Sequence, residues 1–136
     1  MLDLILCVDD DPITLMLCKM VIAKSSFASE IITAQNGEEA LNYFDDLKLN
    51  NLGTEIKKYP SLVFLDLNMP VMDGWEFLDH FSKEEYTSAF KNTKVIVLSS
   101  TIAPNDIEKS KTYPMVLDFL SKPITKEIVE NLKEKL

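Results

Sequence analysis

Charged and hydroxyl side chains follow four apolar runs of the sequence, a pattern typical of a binding or catalytic site. The runs and the polar residues after them are, in chain order, 4–8 with Asp9 and Asp10, 62–65 with Asp66, 95–98 with Ser99, and 116–120 with Lys122. If the runs are parallel strands, their carboxyl ends share one edge of the sheet, where open α/β folds build their sites. We therefore expect three carboxylates, one hydroxyl and one ammonium to meet there.

Three carboxylates at close range repel one another. Two unit charges about 4 Å apart cost roughly 4 kcal/mol at an effective dielectric constant near 20. A hard divalent cation with oxygen ligands, such as Mg²⁺, relieves this repulsion and is commonly shared with a phosphoryl group. Lys122 would balance further negative charge, and Ser99 would donate a hydrogen bond to an added oxygen. These residue types are suited to phosphoryl transfer onto a carboxylate.

Asp66 is the centre of this pattern. It ends an apolar run, Pro70 prevents further strand pairing, and Asp73–Gly74 is a turn signal. We therefore expect Asp66 at the exposed tip of a buried strand. Taken alone, the same run also suits an aspartate that only caps a turn.

The chain alternates strand and helix patterns along its length. Apolar runs predict strands at residues 4–8, 30–34, 62–66, 95–98 and 116–120. Helices are predicted from Pro12 to about residue 24, from 37 to about 48, from about 74, from 104 to about 112, and after Thr125. Five strands and five helices in alternation imply a doubly wound α/β fold, with a parallel sheet, right-handed crossovers and helices on both faces.

Apolar side chains recur at helical spacing inside these helices. They are Ile13, Met16, Leu17, Met20 and Val21 in the first helix, and Trp75, Leu78 and Phe81, expected to face inward, in the third. Asp11, Asn36, Asp73 and Thr125 are the expected N-caps. Residues 50–59 form a polar connection, predicted to be a loop. Residues 84–93 form a second long connection, whose structure the sequence leaves open.

The composition fits one domain that spans residues 1–136. No stretch approaches the roughly 20 apolar residues that cross a bilayer. The net charge of −8 argues against direct binding to nucleic acid or to an anionic membrane. Cys7 and Cys18 lie in apolar patterns without metal-ligand spacing, so we expect free thiols and a cytoplasmic protein.

Together these motifs resemble the receiver domain of two-component response regulators, of the chemotaxis-regulator type. The matching features are the acidic pair after the first strand, residues 66–70 with Asp73–Gly74, Ser99 at the end of the fourth strand, and Lys122–Pro123. The likeness covers residues 4 to about 132. It implies a flavodoxin-like (βα)5 three-layer sandwich with strand order 2-1-3-4-5.

The resemblance also implies how the acidic residues act. Asp66 is the phosphoacceptor. Asp10, Asp66 and the backbone carbonyl of Asn68 bind Mg²⁺, for which Mn²⁺ can substitute, and Asp9 acts through water. Lys122 contacts the phosphoryl oxygens, and in this family the Lys–Pro bond that follows is usually cis.

Two further residues take the family's switch positions. Ser99 follows the phosphoryl group, and Phe119 stands where the family has its switch aromatic. Because Phe119 lacks a hydroxyl, any switching there works by packing alone, and the residue suits plain core packing equally well.

The likeness implies a signalling role without separate enzymatic turnover. The phosphoryl group comes from the phosphohistidine of a sensor histidine kinase or a histidine phosphotransfer protein. Phosphorylation then shifts the face made by the fourth predicted helix, the fifth strand and the last helix, which binds a downstream protein. The chain ends directly after the last predicted helix, so we expect no output domain within this sequence. The protein is then either a stand-alone receiver or a fragment of a longer regulator.

Two other classes of protein compete with this interpretation. A phosphatase of the haloacid-dehalogenase type needs a second carboxylate two residues after its nucleophile, where this chain has Asn68. A degenerate receiver would bind proteins without being phosphorylated. The long connections 50–59 and 84–93 form either a partner surface or tolerated insertions, with tolerance slightly favoured. His80 has no metal-ligand partner in the sequence pattern and is expected to be a surface or packing residue.

Overall fold

The computed structural model describes residues 2–135 and shows a five-stranded parallel sheet in the order β2-β1-β3-β4-β5. The strands are β1 Leu2–Val8, β2 Ala28–Ala34, β3 Leu62–Asp66, β4 Lys94–Ser99 and β5 Val116–Ser121. The helices are α1 Pro12–Lys24, α2 Gly37–Asn50, α3 Gly74–Phe81, α4 Glu84–Thr87, α5 Pro104–Ser110 and α6 Lys126–Lys135. The predicted fold class and strand order are confirmed.

Successive residues of β1 point to opposite faces of the sheet, and each face has its own hydrophobic core. Leu6 and Val8 pack into a core with residues of α2 and α3, whereas Ile5 and Cys7 pack into a second core with residues of α1 and α6. The central strands are buried on both sides, which explains why their sequences are continuous apolar runs.

Helix α1 buries a different face from the one that its periodic residues suggest. Leu15, Cys18 and Ile22 are buried, whereas the predicted stripe leaves four large side chains exposed: Ile13 (64%), Met16 (53%), Leu17 (41%) and Met20 (45%). The helix is apolar around most of its circumference. Spacing alone therefore identified which residues share a face, but not which face meets the sheet.

Two other details go beyond the sequence prediction. Residues 84–93 contain the short helix α4, so the structure has six helices in its described part instead of five. In α3, Trp75 is only half-buried, and Phe77 joins Leu78 and Phe81 in the core. Trp75 packs against the edge of this core, and its ring stacks on that of Tyr113, with 6.1 Å between ring centroids.

Helix N-caps agree with the sequence. Asp11 accepts a hydrogen bond from the Ile13 backbone N–H at 3.0 Å, and Asn36 accepts one from Glu39 at 2.9 Å. Asp73 and Glu76 form a reciprocal capping box at the start of α3, and Thr125 accepts from the Ile128 N–H at 3.2 Å. These caps fix where α1 and α3 begin, directly beside the carboxyl edge of the sheet.

No helix within residues 2–135 has the length and apolar character needed to span a membrane.

Candidate functional site

The carboxyl ends of two central strands bring together the acidic residues predicted from the sequence. Asp9 and Asp10 follow β1, and Asp66 is the last residue of β3, with which β1 pairs directly. One carboxylate oxygen from each of the three residues lies within 4.8 Å of the others. Asp9 and Asp66 are buried, whereas Asp10 is exposed. Solvent therefore reaches the cluster at Asp10, whereas the prediction that Asp66 is exposed is wrong, because its side chain is only 8% exposed among its neighbours.

Lys122 bridges the two buried carboxylates. Its Nζ lies 2.6 Å from Asp9 Oδ2 and 3.2 Å from Asp66 Oδ1. The loop after β5 holds the lysine in place, since the Lys122 backbone N–H donates to the Ser99 carbonyl at 2.9 Å. The Lys122–Pro123 peptide bond is cis, as expected. One ammonium thus faces two carboxylates across adjacent strand ends.

Backbone amides hold the two buried carboxylates in position. Asp9 Oδ1 accepts a hydrogen bond from the Asp11 N–H at 2.9 Å, which leaves Oδ2 for Lys122. The Asn68 backbone N–H donates to the Asp66 carboxylate. The Asn68 side chain is exposed. Each carboxylate is oriented by its own loop.

The charge balance at Asp66 is unfavourable to its ionised form. Burial, followed by the negative charge of Asp9, raises the pKa of Asp66 above its usual value, and Lys122 only partly opposes this rise. For Lys122, burial by itself lowers the pKa, but hydrogen bonding to Asp9 and the charge of Asp66 outweigh it, so the pKa is raised. The site therefore keeps a positive lysine beside carboxylates that repel one another.

Ser99 lies one strand away from Asp66 and is fully enclosed. Its side chain is buried, and its Oγ accepts a hydrogen bond from the Thr101 backbone N–H at 3.2 Å. In the β3–β4 register, Asp66 pairs with Leu98, so Ser99 stands one residue further along the neighbouring strand. The hydroxyl is engaged with its own loop and not with the acidic cluster.

Phe119 lies on the edge strand β5, where it is half-buried. It lines a cavity of about 120 Å³ between α5 and β5, together with Ile107 and Ser110. The backbone position in β5, level with Val97 of β4, places it three residues before Lys122.

The loop that follows Asp66 is shaped by two glycines that the sequence analysis did not single out as site residues. A Cβ at Gly74 would lie 2.5 Å from the Asp66 carbonyl oxygen and 2.9 Å from Leu67 Cα. A Cβ at Gly37 would lie 2.9 Å from the Met72 carbonyl oxygen, which accepts a hydrogen bond from the Gly37 N–H. Gly74 follows a turn signal in the sequence, but the need for close approach at both positions is visible only in three dimensions.

The structure places His80 outside this site. It lies in α3, where its Nδ1 is 3.5 Å from Lys83 Nζ. Within residues 2–135, the cluster of Asp9, Asp10 and Asp66 is the only group of three or more acidic, histidine or cysteine side chains close enough to share a metal ion. Cys7 and Cys18 are buried and free of disulfide bonds.

Comparison with known proteins agrees with the fold and the acidic cluster. Residues 5–133 match the family model for the response regulator receiver domain. The chain is 30% identical over 135 residues to a probable methanogenesis regulatory protein, FilR2, of Methanothrix harundinacea, across 96% of this chain and 81% of that protein. It is 29% identical to the two-component response regulator ARR2 of Arabidopsis thaliana, across 94% of this chain but only 17% of that longer protein.

A solved structure gives the same result. A two-component response regulator from Cytophaga hutchinsonii superposes with a TM-score of 0.85 at 30% identity, and the alignment covers 98% of this chain and 96% of that one. The fold and its acidic edge are those of a signalling domain from two-component systems. The chain belongs to the family of response regulator receiver domains.

Proposed function

We propose that this receiver domain, which we take to span residues 1–136, accepts a phosphoryl group on Asp66 from the phosphohistidine of a sensor histidine kinase or a histidine phosphotransfer protein. The observation that carries the proposal is the position of Asp66. Its carboxylate ends a central strand, faces Asp9 and Asp10 within 4.8 Å, and lies 3.2 Å from an ammonium. A nucleophile, a charge-balancing cation and a set of hard oxygen ligands are thereby combined.

The acidic cluster fits a magnesium ion, which receiver domains bind at an acidic site. All three donors are carboxylate oxygens, and Asp10 is exposed, so that a small hard cation and its waters have access. We assign Asp10, Asp66 and the Asn68 backbone carbonyl as ligands, with Asp9 acting through water. When bound, Mg²⁺, or Mn²⁺ in its place, neutralises the charge that accumulates on the phosphoryl oxygens.

The chain's own residues account for the transfer step. A carboxylate oxygen of Asp66 attacks phosphorus, the P–N bond to the donor imidazole breaks, and the imidazole leaves with its electron pair. Lys122 remains hydrogen-bonded to Asp9 and turns its second contact from Asp66 towards a phosphoryl oxygen. The product is an acyl phosphate that stays covalently bound to Asp66. The protein therefore acts as a phosphoacceptor without separate enzymatic turnover.

The phosphorylated state is read out on the face formed by α5, β5 and α6. A phosphoryl oxygen near Asp66 accepts a hydrogen bond from the Ser99 O–H, and this contact draws inward the hydroxyl whose Oγ accepts from the Thr101 N–H. Movement of the Ser99 loop shifts α5, which begins five residues later, and Phe119 packs into the cavity beside it. A downstream protein binds this face, and phosphorylation shifts a pre-existing equilibrium between its two arrangements.

The donor protein docks on the exposed stripe of α1, which begins immediately after the acidic residues. Ile13, Met16, Leu17 and Met20 form a contiguous apolar surface beside the site. Contiguous exposed apolar patches mark protein interaction sites. We place the protein in the cytoplasm, where such donors act and where the two buried thiols stay reduced.

Phosphorylation with a small-molecule donor tests the proposal directly. Radiolabelled phosphoramidate with Mg²⁺ is expected to label the wild-type chain with an alkali-labile acyl phosphate, and Asp66→Asn is expected to abolish labelling while circular dichroism stays unchanged. Asp10→Asn is expected to lose Mg²⁺ dependence, and Lys122→Ala to impair transfer but keep most metal binding.

The same assay separates the competing functions. Undiminished labelling of Asp66→Asn would refute the assignment of the phosphoacceptor. Steady turnover of phosphomonoesters would indicate a phosphatase. Absence of any label on the wild-type chain would indicate a degenerate receiver that binds its partners independently of phosphorylation.

A further inference from the structure

The two long connections of the chain are packed together as one structure. The ring of Tyr59 contacts Phe90 edge to face, with centroids 5.2 Å apart, and its hydroxyl accepts a hydrogen bond from the Asn92 N–H at 3.3 Å. The buried Thr93 hydroxyl donates to the Pro60 carbonyl at 2.7 Å. An insertion that is merely tolerated needs no such contacts with a second insertion distant in sequence.

The carboxyl end of α2 joins the same assembly. Tyr86 of α4 donates a hydrogen bond from its hydroxyl to Asp45 at 2.6 Å, and Lys48 lies 4.4 Å above the Tyr86 ring. Lys48 also pairs with Glu85 at 3.5 Å. The aromatic side chains beneath are core residues, so the surface above them is held by the hydrophobic core.

A groove runs along this surface, and we call it the basal groove. It comprises three adjoining depressions of about 500, 600 and 200 Å³. The first two share residues 51 and 54–56, and the second and third share Lys91. Neighbouring depressions therefore adjoin at these residues, and the three together, lined from Lys57 and Lys58 past Lys91 to Lys94, are what we call the basal groove.

Positive charge is concentrated in the basal groove. Its lining includes Lys48, Lys57, Lys58, Lys91 and Lys94 but only one acidic residue, Glu55. The chain as a whole has 14 basic and 22 acidic residues, so the balance in the groove is reversed. Lys58 pairs with Glu30 and Lys48 with Glu85, whereas Lys57, Lys91 and Lys94 form no ion pair with any other residue in the range 2–135.

Apolar side chains are interspersed among these lysines. Leu52 is 74% exposed at the rim, and Ile56 is half-buried in the wall. Phe81, Phe90 and Met115 contribute to the end of the groove near Lys94. An occupant is therefore expected to combine negative charges with apolar anchors.

The basal groove lies at the opposite end of the sheet from Asp66. Groove residues 57–59, 91–94 and 114–115 lie at the amino-terminal ends of β3, β4 and β5, whereas Asp66 is the carboxyl end of the five-residue strand β3. At about 3.3 Å per residue, the two ends of this strand are roughly 15 Å apart. A molecule bound in the groove leaves the acidic cluster accessible.

We infer that the basal groove binds an extended acidic peptide segment of a partner protein, with apolar side chains that anchor between its lysines. Charge complementarity supports an acidic occupant, and three adjoining depressions suit an extended peptide that places successive side chains in them. A long polyanion such as nucleic acid would meet the net charge of −8 on the rest of the molecule, whereas a short peptide contacts only the groove. The inference holds whether or not Asp66 is phosphorylated.

Fluorescence anisotropy with a defined probe tests this inference. The probe is a fluorescein-labelled peptide in which glutamates alternate with leucine and glycine, and matched peptides replace glutamate by glutamine or by lysine. The acidic peptide is expected to bind the wild-type chain more tightly than either matched peptide, and its affinity is expected to fall with salt. The triple variant Lys57→Gln, Lys91→Gln, Lys94→Gln is expected to bind it about tenfold more weakly.

A charge-matched control makes the result specific. Lys19→Gln, Lys24→Gln, Lys126→Gln removes the same charge from exposed positions outside the groove, and its affinity is expected to stay within about twofold of wild type. Amide chemical shifts are expected to change at residues 51–58 and 87–94. Equal weakening by the control variant, shift changes confined to other surfaces, or no binding of the acidic peptide at millimolar concentration would overturn the inference.

Two other occupants are tested with the same proteins. A single-stranded oligonucleotide that binds the groove more tightly than the acidic peptide would overturn it, as would a concentration-dependent dimer that the groove variant abolishes. Labelling of Asp66 by phosphoramidate is measured on both triple variants, so failure of the groove inference is distinguished from failure of the proposed phosphoacceptor role.

Discussion

At the scale of single residues, the site combines groups that would be more stable apart. Asp66 is buried beside Asp9, and its pKa is raised because burial and the neighbouring carboxylate penalise its charged form more than Lys122 favours it. A carboxyl group with a raised pKa in the folded state binds its proton more tightly folded than unfolded. Stability is therefore lost as pH rises from the ordinary pKa through the raised value, and it stays lost at neutral pH.

Removal of this charge is expected to stabilise the protein. In the absence of divalent metal, Asp66→Asn should increase the free energy of unfolding at neutral pH by on the order of 1 kcal/mol. The gain should disappear as pH falls towards the ordinary carboxyl pKa, because the wild-type residue is then protonated as well. Urea denaturation at several pH values measures both effects. A less stable variant at neutral pH would show that the ion pair with Lys122 outweighs the cost of burial.

Val71 is a second residue held in an unfavourable state. It is a β-branched residue with φ of 68°, and its side chain is 72% exposed. The left-handed region costs such a residue about 1–2 kcal/mol, and Asn tolerates it better. Val71→Asn is therefore expected to raise the free energy of unfolding by about 1 kcal/mol, measured by urea denaturation. The conservative variant Val71→Ile keeps the strain and should show no gain; equal stabilisation by both would contradict this explanation.

At the scale of elements, the strand β3, which ends in Asp66, and the helix α3 after it depend on one close contact. The Gly74 N–H donates to the Leu67 carbonyl at 2.9 Å, and the α-carbon lies against the end of β3. The start of α3 and the position of Asp66 are thereby coupled.

Introducing a methyl group at this contact should separate the two elements. Gly74→Ala is expected to lower the free energy of unfolding by about 2 kcal/mol, because the new Cβ would overlap backbone atoms of residues 66 and 67. At Gly53, by contrast, an added Cβ meets nothing within 4 Å, and only its φ of 77° opposes alanine. Gly53→Ala should therefore cost only about 1 kcal/mol and leave phosphoramidate labelling unchanged. Wild-type stability and labelling in Gly74→Ala would contradict the coupling.

The exposed stripe of α1 allows a test of partner docking. Met16→Glu places a charge in the centre of the proposed docking surface and is expected to slow phosphotransfer from a phosphorylated histidine phosphotransfer protein by about tenfold. Labelling by phosphoramidate should not change, because the acidic cluster is untouched. Leu49→Glu, at a 65% exposed position of α2, is the matched control. Equal slowing with both donors, or in both variants, would contradict docking on α1.

At the scale of the whole molecule, charge is distributed unevenly between the two ends of the sheet. Asp9, Asp10 and Asp66 gather at the carboxyl ends of the strands, whereas Lys57, Lys91 and Lys94 lie near the amino-terminal ends. The net charge of −8 is a sum over the whole chain and does not show this separation of acidic and basic residues. The net charge argues against long polyanions as partners, but it gives no information about a local basic groove.

Much of the fold was predictable from local sequence. Two kinds of feature depend on interactions within a few residues and can therefore be predicted from the sequence. They are the continuous apolar runs of β1, β3 and β4 and the N-caps Asp11, Asn36, Asp73 and Thr125. The polar residues at the ends of four predicted strands also predicted the convergence of Asp9, Asp10, Asp66 and Lys122, because parallel strands share one carboxyl edge.

The sequence by itself determined which residues form strands, which cap helices, and which acids meet at the edge of the sheet. The tertiary structure alone decided that α1 turns Met16 and Met20 to solvent, that residues 84–87 form a helix, and that two distant connections pack into one basic groove. The physical reason is the distance along the chain over which each interaction acts. Periodicity and capping record short-range constraints, whereas the choice of buried face and the packing of loops are set by residues far away in the chain.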